Sequence, residues 1–562
     1  MRSLLAFAAP LVLLSACAAT PGPHPTTSAA VPITADTAYG MFLAGNAAMN
    51  EGRSGDASRL LDMARAQSGG EVAVAERAFS AALAAGEIAR AAALAPEGEA
   101  ATESNKRLGR LVKAVDLLAA GKAKPAYDTL KAEPVGFPHR SAAVLLAPWA
   151  AAAAGDVEAS LVRPDARGDT IVEYYGVLGQ AFLYERARRY DEAETAFKQV
   201  TGQNGSELAV IAYAQFLERR DRRPDAVATL DVALARTPGS IAMKNARAHA
   251  ASSKAATPML TLREGAALAL LPPASSMIQA RQAPMGLAYL RLSLRLDPDR
   301  NDAWLMVGDF LQGLGDVEAA REAYSRPKPG SNEYVSAQVK LAWSYQNAGD
   351  KAQALKLARA AAATGDIDSR VALADLLRAN DEYSEAVAIM TEVMQTTPDP
   401  RLYFARALAL EQLGRWKEAE ADLVEALRLR PTDAEILNHL GYSWIDRGER
   451  LNEALAMVQK AVERNPRSGA MIDSLGWAYF RMGNYPTAVR RLEQAVELQA
   501  GDPDINNHLG DAYWMVGRKD EAVFQWRRVL SLRPDPKTKA DAEAKLASGA
   551  GPVAPAAKIA GQ

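Results

Sequence analysis

The chain has 562 residues, and its 65 Lys+Arg against 67 Asp+Glu leave a formal net charge of −2. That balance argues against nucleic acid as a partner, because phosphate binding needs a surplus of basic side chains. Apolar residues make up 49% and aromatics only 6%, with alanine abundant, a mix that favours close-packed helices over strands.

The chain opens with Met1-Arg2-Ser3 and an apolar run from Leu4 to Leu14, broken only by Pro10. The run is far short of the ~20 residues that a spanning helix needs, but it suits the core of an export signal. It ends in Leu14-Ser15-Ala16-Cys17, which resembles the lipobox of bacterial lipoproteins. The resemblance implies a signal peptide over 1–16, cleavage before Cys17, a diacylglycerol thioether on its sulfur and a third acyl chain on its new amine. Several chains anchor stably where one holds only marginally. Ala18 follows the cysteine, rather than the Asp that retains enterobacterial lipoproteins at the inner membrane, so the implied address is the periplasmic face of the outer membrane. An ordinary secretory signal, cut within Ala16-Cys17-Ala18, is the alternative. Cys17 is the only cysteine, which excludes an intrachain disulfide and cysteine-based metal centres. Residues 17–35 carry Pro21, Pro23, Pro25 and Pro32 among small polar residues and read as an extended tether.

Beyond the tether a period emerges. Small residues stand at Ala57, Ala91, Ala126, Ala193, Ala226, Gly286, Ala320, Ala354, Ala386, Ala419, Ala454, Ala488 and Ala522, mostly 32 to 35 apart. Four residues after most of them lies a bulky apolar one, such as Leu61, Phe197, Leu492 or Trp526, and twelve after several comes a proline. Twelve before lies another small residue, such as Gly45, Gly308, Gly476 or Gly510. Two helices cross closely only where bulky side chains are missing, so each unit reads as two helices touching at small residues. Residues four apart share a helix face and fill the space beside the contact. Turns carry Gly52, Gly86, Gly121, Gly349, Gly414, Gly483 and Gly517, and proline stops the second helix.

This pattern resembles the tetratricopeptide repeat. Its best copies are Leu475-Gly476-x-x-Tyr479 with Ala488, Leu492 and Ala495, and Leu509-Gly510-x-x-Tyr513 with Ala522, Trp526 and Pro534. The resemblance implies an all-α superhelical solenoid of helix-turn-helix repeats, in two arms. A degenerate N-terminal array is expected over 36–240 and a stronger C-terminal array over 300–534. Between them, 241–299 holds an irregular joint and the first repeat of the second arm. Its prolines, Pro258, Pro272, Pro273 and Pro284, mark either a true interruption or diverged repeats. A polar capping helix is expected over 535–547 and a disordered tail over 548–562.

Catalytic motifs are missing: there is no phosphate loop, no His-Glu-x-x-His and no Gly-x-Ser-x-Gly. The expectation is a chain that is not an enzyme, with no cofactor and no metal; an unrecognised active site within 240–285 is the distant alternative. In tetratricopeptide arrays the first helix of each unit lines the concave surface. Carried over, that surface comprises Asn438, His439 and Tyr442, then Asp473, Ser474, Trp477, Phe480 and Arg481, then Asn507, His508, Asp511 and Trp514. Trp, Tyr and Arg are the residue types that dominate interaction hot spots, so proteins or peptides are the implied partners. Packing between units is the competing reading of Trp477, Phe480 and Trp514.

The wording Asn438-His439-Leu440-Gly441-Tyr442, Asp473-Ser474-Leu475-Gly476-Trp477 and Asn507-His508-Leu509-Gly510-Asp511, with Gly286-Leu287-Ala288-Tyr289-Leu290 earlier, narrows the likeness. It is similar to large tetratricopeptide lipoproteins of proteobacterial outer membranes. One group of these is the binding partner of a periplasmic carboxy-terminal processing protease, bringing it to cell-wall hydrolase substrates. The alternative within the same class is an assembly factor for a pilus, secretion or barrel-insertion complex.

Overall fold

A computed structural model describes residues 37–202, 205–396, 398–549 and 551–552. Cys17, the signal peptide and the tether lie outside the described residues, as do 550 and 553–562 of the stretch read as a tail. Within them the secondary structure is helical throughout, and no helix is long and apolar enough to cross a membrane.

Two compact units divide between Ser344 and Tyr345. The segment 241–299, expected to hold the joint between arms and the first repeat of the second, lies wholly inside the first unit. That unit begins with α1 (Ala38–Asn50), α2 (Ser54–Gln67), α3 (Val72–Ala85), α4 (Ile88–Ala93), α5 (Glu103–Ala119) and α6 (Ala123–Ala132). It continues through α7 (Arg140–Ala153), α8 (Val157–Ser160), α9 (Thr170–Arg186), α10 (Tyr190–Val200), α11 (Glu207–Arg219) and α12 (Arg223–Arg236). Then come α13 (Ile241–Ala250), α14 (Leu262–Ala269), α15 (Leu271–Gln279), α16 (Ala283–Leu296), α17 (Asn301–Leu314) and α18 (Val317–Ser325), and the division falls within α19 (Tyr334–Asn347).

The second unit continues with α20 (Lys351–Ala362), α21 (Ile367–Ala379), α22 (Tyr383–Met394), α23 (Pro400–Gln412), α24 (Trp416–Leu429) and α25 (Ala434–Arg447). It ends with α26 (Leu451–Arg464), α27 (Gly469–Arg481), α28 (Tyr485–Leu498), α29 (Pro503–Met515), α30 (Lys519–Ser531) and α31 (Pro536–Ser548).

The repeat register has a direct steric cause. A Cβ added at Gly476 would meet Leu492 Cγ at 2.7 Å, and one added at Gly510 would meet Trp526 Nε1 at 2.6 Å. The same holds for Gly45 against Leu61 and Gly308 against Tyr324. So the small residue of each first helix receives the bulky residue of its second helix, while Ala488 and Ala522 are wholly buried at the crossing. All seven turn glycines named above hold φ between 71° and 83°, a region that only glycine enters without cost. Arg188, Asp221, Arg281 and Asp381 hold φ of 59–64° at the equivalent turns.

The segment 241–299 combines both readings of its sequence. α15 and α16 form a hairpin in register, with Gly286 closing on Ile278 at 2.6 Å from its virtual Cβ. Pro272, Pro273 and Pro284 do not interrupt helices; they sit in first turns, where the missing N–H is no loss. By contrast 251–261 has no helix before α14. Arginines fasten it: Arg219 donates to Thr257 O at 3.0 Å, Arg186 to Leu260 O at 2.7 Å and Arg223 to Ser252 O at 2.8 Å.

α16 is apolar over most of its circumference, with Arg291, Ser293 and Arg295 as its polar residues, and it packs on α3, α4 and α5 as well as on α14, α15 and α17. Buried Tyr289 meets buried His139 at 2.8 Å, and Arg295 pairs with Asp116 at 2.8 Å. The first unit is therefore closed by contacts between distant stretches of chain. In the second unit the main packing runs between helices one or two places apart.

Candidate functional site

The sequence-predicted residues of the second unit lie on α25, α27 and α29, the first helices of three successive hairpins. The structure brings four of them together. His508 Nδ1 lies 3.0 Å from both oxygens of Asp473, one hairpin earlier. Trp477 stacks on the His508 ring, with centroids 4.1 Å apart and planes at 17°, and Tyr442 lies 6.5 Å from the same ring. Burial works against a charged His508, but the Asp473 carboxylate outweighs it and holds the histidine pKa above its ordinary value.

The others separate by role. Phe480 is 2% exposed, stacked on Trp477 at 4.6 Å and packed in the hydrophobic core with Leu492, Leu509 and Trp526, so it is a core residue and not a groove wall. Ser474 is also buried, its hydroxyl bonded to Ala470 O within its own helix. The tetratricopeptide resemblance implied a place for both on the concave surface, with packing as the competing reading of Phe480; both are buried. Arg481 donates to Asp446 O at 2.6 Å, stitching α27 to α25.

Asn507 and Asp511 are buried and taken up by α31. Lys545 Nζ lies 2.7 Å from Asp511 Oδ1 and 3.2 Å from Asn507 Oδ1, and it also contacts Asp541. Asn507 donates to Asp541 at 2.8 Å, and the Trp526 indole donates to Asp511 at 3.1 Å. Burial pushes the Asp511 carboxyl up while Lys545 pulls it back. These two residues thus anchor the final helix rather than face a partner. Trp514 lies 5.4 Å from Trp526 and has Lys519 over its ring at 4.9 Å.

His439 pairs with Glu411 of α23 at 2.6 Å, where Ser443 also donates at 2.8 Å, and its ring edge meets Phe404. Glu411, Phe404 and Lys545 were not singled out in the sequence. The repeat register could have found the first two, because Phe404 falls one hairpin before Asn438 at the equivalent position. Two polar atoms on this face stay unmatched among the described residues: Asn438 Oδ1, an acceptor, and Trp477 Nε1, a donor.

Models of the tetratricopeptide repeat match residues 178–241, 474–535 and 336–366, and one for the N-terminal TPR repeats region of Psidin matches 375–504. A TPR repeat-containing protein of Pseudomonas aeruginosa is 30% identical over 209 residues, 36% of this chain and 35% of that protein. Superkiller complex protein 3 of Mus musculus is 28% identical over 156 residues, 27% of this chain and 10% of its own length. The chain therefore spans about a third of the bacterial relative and about a tenth of the mouse one.

Among solved structures, a tetratricopeptide repeat protein from Parabacteroides merdae aligns with a TM-score of 0.38 at 16% identity, over 44% of this chain and 98% of that one. The APC/C hetero-tetramer Cut9-Hcn1 aligns with a TM-score of 0.38 at 15% identity, over 91% and 97%. The matched residues and the hairpin register together show that this chain carries tetratricopeptide repeats.

Proposed function

We propose that the chain is a protein-binding scaffold, held at the periplasmic face of a bacterial outer membrane by acylated Cys17, whose docking face runs along α23, α25 and α27. The unmatched pair Asn438 Oδ1 and Trp477 Nε1 carries the reading. One acceptor and one donor, both atoms buried on half-buried residues of successive first helices, suit the N–H and C=O groups of a peptide backbone once side-chain rotation exposes them. Leaving both unsatisfied costs free energy that such a peptide would recover. Tyr442 and the Trp477 ring supply apolar walls beside them.

In its finer form the scaffold is an adaptor that holds a periplasmic protease and its cell-wall hydrolase substrates on one frame. Tethering both replaces a diffusional meeting by an effective concentration in the millimolar range, ~10⁻³ M, when the sites are within reach. Support for this form is the lipobox-like Leu14-Ser15-Ala16-Cys17 and the wording of the 438–442, 473–477 and 507–511 segments.

The test is a pull-down from solubilised envelope with Asn438→Ala/Trp477→Phe, which removes the two polar atoms and keeps the ring. Partner recovery should fall at least about tenfold, the worth of one well-placed hydrogen bond to each atom, at unchanged helix content. Full recovery by the double variant removes this face from consideration. Recovery of a membrane machine in place of a protease favours the assembly-factor form.

A further inference from the structure

A cavity of about 400 Å³ in the first unit lies between the start of α2, the α3–α4 turn, α16, α17 and α18. Its lining includes Arg291 of α16, which is not among the residues of the face described above. The guanidinium packs against the turn so closely that a Cβ at Gly86 would meet Arg291 Nε and Cδ at 3.2 Å, and Gly86 holds φ 83°. Arg291 Nε is buried without a hydrogen-bond partner among the described residues.

The acids nearby are committed elsewhere. Asp316 accepts from the Ser54 hydroxyl at 3.0 Å and from Ala319 N at 3.2 Å, and Glu322 pairs with Arg326. Arg295, the second arginine of the wall, is neutralised by Asp116 at 2.8 Å. Arg291 is therefore left with only through-space attraction from Glu322 and Asp316, and its buried Nε has no acceptor among the described residues. The remaining lining is apolar or aromatic, including Ile88, Leu294, Ala319 and the Trp304 ring.

We propose that this cavity binds a small monocarboxylic acid with an apolar or aromatic body, its carboxylate held by Arg291. A planar guanidinium matches a carboxylate with two parallel hydrogen bonds. A buried, unpaired charge is expensive, so a protein retains one where a ligand completes it. Burial also lowers the Arg291 pKa, the direction expected of a cation waiting for its anion. One unpaired cation selects a monoanion over a phosphate dianion. A cavity of this size accepts a ligand of a dozen or so heavy atoms.

The experiment is calorimetric titration of the purified full chain with phenylacetate, phenylacetamide and inorganic phosphate. Phenylacetate should bind saturably, and the neutral amide at least about tenfold more weakly. Arg291→Met should abolish binding and raise the unfolding midpoint of the ligand-free chain, because it removes an uncompensated charge; a structural arginine would give the opposite shift. Ala319→Phe fills the cavity and should block phenylacetate with Arg291 intact. Equal binding of amide and acid, preference for phosphate, unchanged binding in Arg291→Met, or a lowered midpoint in that variant each overturns the proposal.

Discussion

The two units are built from the same hairpin but use it differently. In the first, the chain returns on itself: α16 packs against α3 to α5, α14 against α7 and α9, and residues 251–261 are fastened by Arg186, Arg219 and Arg223. In the second, helices pack chiefly on neighbours one or two places along, and the first helices of the hairpins carry paired charges and stacked rings. A stack of neighbours behaves as a one-dimensional array whose faces stay available for partners. A unit closed by distant contacts spends those faces on its own chain and must pay loop-closure entropy to fold. The same repeat thus yields a surface in one place and an interior in the other.

The sharpest way to break this comparison is to attack a residue whose role it reassigns. Phe480→Ala should destabilise the second unit by about 3–5 kcal/mol, the cost of emptying a packed aromatic site. Chemical denaturation monitored by circular dichroism would measure it. A loss below about 1 kcal/mol would return Phe480 to the groove.

Acid separates the units next. His139 is buried against Tyr289, and burial lowers its pKa from 6.5 to about 4. The unfolded chain therefore takes up the proton first, and the first unit loses stability as pH falls from 6.5 toward 4, by about 3 kcal/mol. His508 has the opposite sign, because Asp473 raises its pKa. Its contribution is fully present below the unfolded value and fades as pH rises through the folded one. Hydrogen exchange should show α5, α7 and α16 loosening in acid before α27 and α29 do. Uniform loosening would contradict the assignment.

The smallest effect concerns the turns. Arg188 holds φ 61° where other units place glycine, so Arg188→Gly should raise stability by up to about 1 kcal/mol. A rise in the unfolding midpoint would show that the register tolerates strain at single turns. A fall would mean that Arg188 contributes through contacts of its side chain.

How much of this was legible beforehand depends on the range of the interaction. Hairpin crossings could be read because Gly476 and Leu492, or Gly510 and Trp526, meet within one repeat, and the match of small to bulky recurs along the chain. Turn glycines and stop prolines were legible for the same local reason. The candidate face was read only in part. Asp473, Trp477 and His508 do gather, but Asn507 and Asp511 are claimed by Lys545 of α31, a residue with no place in the repeat pattern. For α16 a signal did exist: Leu287, Ala288, Tyr289, Leu290, Leu292, Leu294 and Leu296 spread apolar side chains around most of the helix, which calls for burial against more than one neighbour.

By itself, then, the order of residues determined the helices, their pairing and the spacing of each crossing, since steric fit between residues a few turns apart is encoded where it acts. Only the tertiary structure decided which distant helices α16 would join, what would lie along 251–261 and which polar atoms would be left unmatched. Those outcomes depend on surfaces contributed by stretches more than a hundred residues apart, such as His139 and Tyr289, and a periodic pattern carries no record of them.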